Sequence, residues 1–152
     1  MSLDVYLEMS GHKAETTGPK IFIREDGQTK EISRAEWDER FPDRVPVTFT
    51  PDPDKEDPTI WHGNITHNLS MMADVAGIYR ALWMPEEIGI TKAVQLQAYL
   101  LAGLNMLILE PDKYKKYNSK NGWGTYEGLV QFVKDYLDAC IKYPDANVRV
   151  SR

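Results

Sequence analysis

The chain has 152 residues, 42% of them hydrophobic, and carries 18 lysines and arginines against 23 aspartates and glutamates, for a net charge of -5. This suits a single globular domain spanning residues 1–152, and the acidic balance excludes a nucleic-acid partner unless a local basic patch offsets it. A lone cysteine, Cys140, excludes an intramolecular disulfide; the first residues lack a signal peptide's basic and apolar regions, and Gln95, Gln97, Gly103 and Asn105 break the longest apolar run, so a cytoplasmic protein with no membrane partner is expected.

Leu3, Val5 and Leu7 alternate with Asp4, Tyr6 and Glu8, the two-residue period of a half-buried strand. Residues 11–18 read as a turn or loop. Ile21 and Ile23 open a hairpin whose turn is Asp26-Gly27, a dipeptide that tolerates positive φ, and the second strand runs to about Ile32. Ser33 and Glu36 fit a capping box at the start of a short helix that Pro42 ends. Val45, Val47 and Phe49 alternate with polar residues, and Pro46 confines any strand there to a sheet edge. Residues 51–58 hold three prolines and four acids and read as an exposed, stiff, acidic loop. The whole of 19–58 is a candidate insertion.

Residues 59–83 run from an apolar strand into what the periodicity predicts as one long helix. Leu69, Met72, Ala73, Ala76, Tyr79 and Trp83 form one stripe, and Met71, Val75, Ile78 and Leu82 form a second beside it. Pro85 stops this helix, and Thr91 is a cap for the next, over about 92–110. There Ala93, Leu96, Leu100, Leu104 and Leu107 make the core stripe, widened by Val94, Leu101 and Ile108. Gln97 projects into that stripe and needs a buried hydrogen-bond partner. Residues 111–124 read as a loop, whose basic run, Lys113, Lys115 and Lys116, reads as a solvated face. Thr125 caps a third long helix, with Leu129, Val130, Phe132, Val133, Tyr136, Leu137, Cys140 and Ile141 on one face. Cys140 reads as a small buried hydrophobe rather than a nucleophile. Val148 and Val150 predict a final strand, a natural partner for the first.

The predicted fold is therefore α+β: three long helices and one short one on a small, mainly antiparallel sheet holding both terminal strands. Candidate chemistry gathers where strand gives way to helix, at Asn64, Thr66, His67 and Asn68, because free backbone amides and the helix dipole favour polar or anionic groups there. Trp123 and Thr125 form a second such junction, and two helix starts facing one cleft would suit a small polar or anionic ligand. Arg80 stands at the margin of an apolar stripe, its head either aimed into a cleft or reaching water over an apolar stem. His62 and His67 lack the spacing of a helical ligand pair, so neither a metal nor a cofactor is expected. A non-enzymatic ligand-binding protein is the leading reading. A hydrolase using His67 as general base and an interaction factor acting through the acidic loop 51–58 are the alternatives.

Four segments, NITHNL at 64–69, AGIYRALWMPEEIGI at 76–90, NGWGTYEGLV at 121–130 and the closing VRVSR, resemble a group of small uncharacterised proteins of bacteria and their phages. The resemblance covers about 60–152 and the opening strand. It implies a bacterial or phage setting and carries over no activity.

Overall fold

Apolar side chains at every second position drive β1 (Ser2–Glu8), where Leu3, Val5 and Leu7 are fully buried and the residues between them half-exposed. In the computed structural model, which describes residues 1–11, 19–50 and 57–152, β1 is the centre of a three-stranded antiparallel sheet. β5 (Thr59–Thr66) pairs with it on one side and β6 (Asn147–Ser151) on the other, so both terminal strands share one sheet.

Residues 20–49 build a second sheet in the order β3-β2-β4, from β2 (Lys20–Glu25), β3 (Gln28–Ile32) and the two-residue edge strand β4 (Thr48–Phe49). Asp26 at φ 52° and Gly27 at φ 76° form the tight turn that the Asp-Gly dipeptide predicts. Ser33 caps α1 (Arg34–Arg40) by accepting the Glu36 amide at 3.1 Å. The other half of the predicted capping box is not made, because the Glu36 carboxylate pairs with Arg40 at 2.8 Å. Residues 12–18, and 51–56 of the predicted acidic loop, lie outside the described residues.

The first of the three expected long helices is broken. Thr66 leads into a 3-10 turn (His67–Leu69), then α2 (Ser70–Val75), and after a reversal at Gly77 the chain re-enters helix as α3 (Tyr79–Trp83). Gly77 takes φ 78°, and the amides of Gly77 and Ile78 bond back to the carbonyls of Asp74 (2.9 Å) and Ala73 (2.9 Å), a helix-terminating Schellman arrangement that needs a left-handed residue. Leu69, Met72, Ala73 and Ala76 before the break and Ile78, Leu82 and Trp83 after it are buried, which preserves the periodicity, but Met71 of the second stripe is 58% exposed, because α2 ends before that face meets a neighbour.

α4 (Ala93–Leu109) and α6 (Tyr126–Lys142), each of 17 residues, pack against each other, and α6 also contacts β5 of the first sheet; Ile141, expected on the buried face of α6, is instead exposed. Gln97 finds its partner here, donating to the Cys140 carbonyl at 3.0 Å. The start of α4 differs from expectation: the Gln95 side chain accepts the amides of Thr91 and Lys92, and the Thr91 hydroxyl donates to it rather than capping. Residues 111–124 are not all loop, since Pro111 sits at the first position of a short α5 (Pro111–Lys115), where its missing amide costs nothing. On α4, Ala93, Leu96, Leu100 and Leu107 are buried, but Val94, Leu101 and Ile108 point to solvent instead of widening the core stripe. Among the described residues no helix is long and apolar enough to cross a membrane.

Candidate functional site

The two helix starts singled out in the sequence lie directly against each other. The Asn68 carboxamide donates to the Trp123 carbonyl at 2.8 Å, and a Cβ placed on Gly124 would stand 3.0 Å from the Thr66 methyl and 3.3 Å from Cγ of Leu69. The space between them is thus filled by protein. Thr66 accepts the Asn68 amide at 3.3 Å and Thr125 accepts the Gly128 amide at 3.1 Å, so both hydroxyls work as caps. Trp123 keeps half of its surface in solvent.

His67 turns away from this contact. Its Nδ1 accepts the indole N–H of Trp83 at 2.9 Å, which leaves the ring proton on Nε2, a buried atom without a hydrogen-bond partner among the described residues. Arg80 lines a separate cleft of about 240 Å³ with Asp74, Tyr79 and Tyr99. Of the seven sequence candidates, Asn64, Thr66, His67, Asn68, Arg80, Trp123 and Thr125, only Arg80 borders this cleft, and only Asn64 borders a second, larger cavity.

That larger cavity is an open groove of about 600 Å³, lined by residues 28–31 of β3, residues 61–64 of β5, and Gln131, Phe132 and Asp135 of α6. It arises because β5 is the edge of the first sheet, β3 is the edge of the second, and the two strands lie side by side. The hairpin tip holds them together at one end. A Cβ on Gly27 would stand 2.8 Å from the Thr66 methyl, one on Gly128 would stand 2.8 Å from the Asp26 carbonyl oxygen, and Gln28 donates to the Gly128 carbonyl at 3.0 Å.

One wall is aromatic. Trp61 stacks on Tyr136, ring centroids 4.9 Å apart, and lies tilted against Phe132 at 6.4 Å. Gly63 makes room for this, because a Cβ there would fall 2.5 Å from the Trp61 ring and 2.8 Å from that of Phe132. Tyr136 is buried, which pushes its phenol well above the usual range, with a smaller push from Cys140. The phenol therefore serves as a neutral support for the Trp61 ring.

The other lining is polar and organised by Asp4. One carboxylate oxygen, Oδ1, accepts the Asn64 carboxamide N–H at 2.7 Å and stands 2.9 Å from Nε2 of His62. His62 stacks on Tyr6 (4.7 Å between centroids), and the Arg149 guanidinium lies 3.8 Å over the other side of that phenol while pairing with Glu8 at 2.7 Å. Asn64 is buried, and its carboxamide oxygen has no hydrogen-bond partner among the described residues. The charged groups at the groove's rim are already engaged: Lys30 with Glu25 (3.2 Å), Glu31 with Lys20 (3.3 Å), Asp135 with Gln131 (2.7 Å). Lys30, with help from Arg40, holds the Glu25 carboxyl below its ordinary range.

Sequence reasoning reached Asn64 but not Trp61, Gly63, Gln131 or Phe132 as a set, because the groove forms between strands far apart in the chain. A local signal was present in Trp61-His62-Gly63, a large aromatic and a glycine on the same face of one strand. Set against known proteins, the chain matches no protein-family model, no curated protein and no solved structure. Among the described residues no three His, Cys, Asp or Glu side chains converge as a metal site would require.

Proposed function

We propose that the chain is a non-enzymatic binding protein that takes a small polar molecule with a flat face in the groove between β3, β5 and α6. The observation that carries this reading is the aromatic wall of Trp61 and Phe132 beside the Asn64 carboxamide, whose nitrogen is fixed by Asp4 and whose buried oxygen has no partner among the described residues. Burying such an acceptor unpaired costs on the order of 1–3 kcal/mol, which a ligand N–H or O–H would recover once a shift of the lining opened that oxygen to the groove. The volume falls within the roughly 300–1,000 Å³ of small-molecule sites, and Trp61 and Phe132 offer a flat surface for a ring or sugar face. Because Lys30 is paired with Glu25, a neutral polar ligand fits this lining better than an anion. On the same terms we place the protein in the cytoplasm, where a lone thiol stays reduced, within the bacterial and phage group that 60–152 resembles.

The hydrolase alternative finds no support in His67, whose Nδ1 is engaged by Trp83. A thermal-shift screen of nucleosides, sugars and amino acids checks the proposal, followed by chemical-shift mapping of any hit. A stabilising ligand is expected whose effect disappears in Asn64→Ala and weakens in Gln131→Ala, a change on the solvent side of α6. If every class leaves the melting temperature unchanged, or a hit binds both variants as well as the native chain, the groove is not the site.

A further inference from the structure

Helix α4 has no charged residue from Ala93 to Leu109, yet only one side of it is covered. Leu96, Leu100 and Leu107 meet the core, while Val94, Leu101 and Ile108 are 49%, 51% and 56% exposed and Leu109 76%. A helix apolar around its whole circumference is ordinarily enclosed on all sides. The exposed positions are also ordered. Val94, Ala98, Leu101, Asn105 and Ile108 follow one another at steps of four and three, the spacing of a helix-pairing seam, and all five face solvent.

We propose that this face receives a second copy of the chain, α4 against α4, antiparallel about a two-fold axis beside Leu101. Side-chain size along the seam reads alike from both ends, as a self-complementary contact requires: Val94 would lie opposite the partner's Ile108, Ala98 opposite the partner's Asn105, and Leu101 opposite itself. The face carries no charge, so a charged partner gains nothing from it, and the chain's net charge of -5 sits outside the seam. Its area is also of the right order. Val94, Leu101, Ile108 and Leu109, each half-exposed or more, with Ala98 and Asn105 between them, amount to roughly 500 Å², the upper range for a monomer's apolar patch and more than half of the ~800 Å² per partner of a standard interface. The single Asn105 in an apolar seam favours one register over its neighbours. None of these residues borders the groove, so the dimer and the ligand site stand or fall separately.

Sedimentation equilibrium of the full chain over about 1–200 µM tests the pairing. A reversible dimer is expected, and Leu101→Asp should raise its dissociation constant at least about 100-fold by placing two unpaired carboxylates on the axis. Circular dichroism should remain unchanged, because Leu101 points outward. As a second reading, Leu101→Cys should form a disulfide-linked dimer on oxidation with oxidised glutathione, whereas Tyr99→Cys, away from the axis, should not; the native Cys140 is buried and does not compete. A monomer throughout the concentration range, a dimer indifferent to Leu101→Asp, or a monomer that binds lipid vesicles through this face would each overturn the proposal.

Discussion

The carboxamide of Asn68 donates to the backbone carbonyl of Trp123 at 2.8 Å, joining two helix starts that lie 55 residues apart. This contact closes the space in which a ligand would otherwise sit and makes the junction structural. Replacing Asn68 with alanine should cost about 1 kcal/mol, the worth of an ordinary hydrogen bond at a partly exposed site. Amide exchange in residues 119–124 should speed up in that variant while ligand binding in the groove is unchanged; a ligand lost on Asn68→Ala would move the site back to the junction.

Two glycines in the helical half are required for different physical reasons. Gly77 has open space around its missing Cβ but φ 78°, so Gly77→Ala should destabilise by about 1–2 kcal/mol through the backbone alone. Gly103 has ordinary helical φ, but a Cβ there would fall 2.1 Å from the Ile78 side chain. Gly103→Ala should therefore cost at least as much, by overpacking. Trimming Ile78 to alanine in the same chain should relieve part of that cost and leave the Gly77→Ala penalty intact. Urea denaturation of the three single and two double variants separates the cases.

Gly63 links fold and site. Its alanine variant must push aside the Trp61 or Phe132 ring, which forms the groove's flat wall. Gly63→Ala should lower stability by roughly 1–3 kcal/mol and abolish any stacking ligand's effect. The near-ultraviolet dichroism of the Trp61–Tyr136 stack should change with it. A variant with native dichroism and native ligand response would show that the wall does not depend on this position.

Burial pushes the Cys140 thiol from 9.0 up to about 12. In the unfolded chain it ionises near 9, so above that pH the unfolded state has lost a proton that the native state keeps. Stability from this source is fully present below pH 9 and declines as pH rises from 9 toward 12, by up to about 1.4 kcal/mol per unit. Urea melts across that window should show a decline that is shallower in Cys140→Ala. At pH 8 the native thiol should react with a disulfide reagent only as fast as the protein opens.

Much of the architecture is written locally. The alternation in β1, the Asp26-Gly27 turn, the Ser33 and Thr125 caps, the apolar face of α6 and the pairing of terminal strands depend on side-chain period, on φ tolerance and on hydroxyls within three residues of a free amide. Those are properties of short stretches, and they can be read without knowing what lies across the core. The break at Gly77 was not legible, because a glycine inside an apolar helical pattern is compatible with either a continuous helix or a cap until Ile78 is seen packing against Gly103.

The site belongs to the other kind of information. Its walls come from β3, β5 and α6, and nothing in the spacing of Lys30, Trp61 and Gln131 says that two sheet edges lie side by side. Likewise, the sequence marks Val94, Leu101 and Ile108 as apolar, but only the packing of α4 on α6 decides that they face outward. Period and composition determine which residues avoid water; which of them the chain itself can cover depends on long-range docking, and what is left uncovered is where a ligand or a second copy has room to bind.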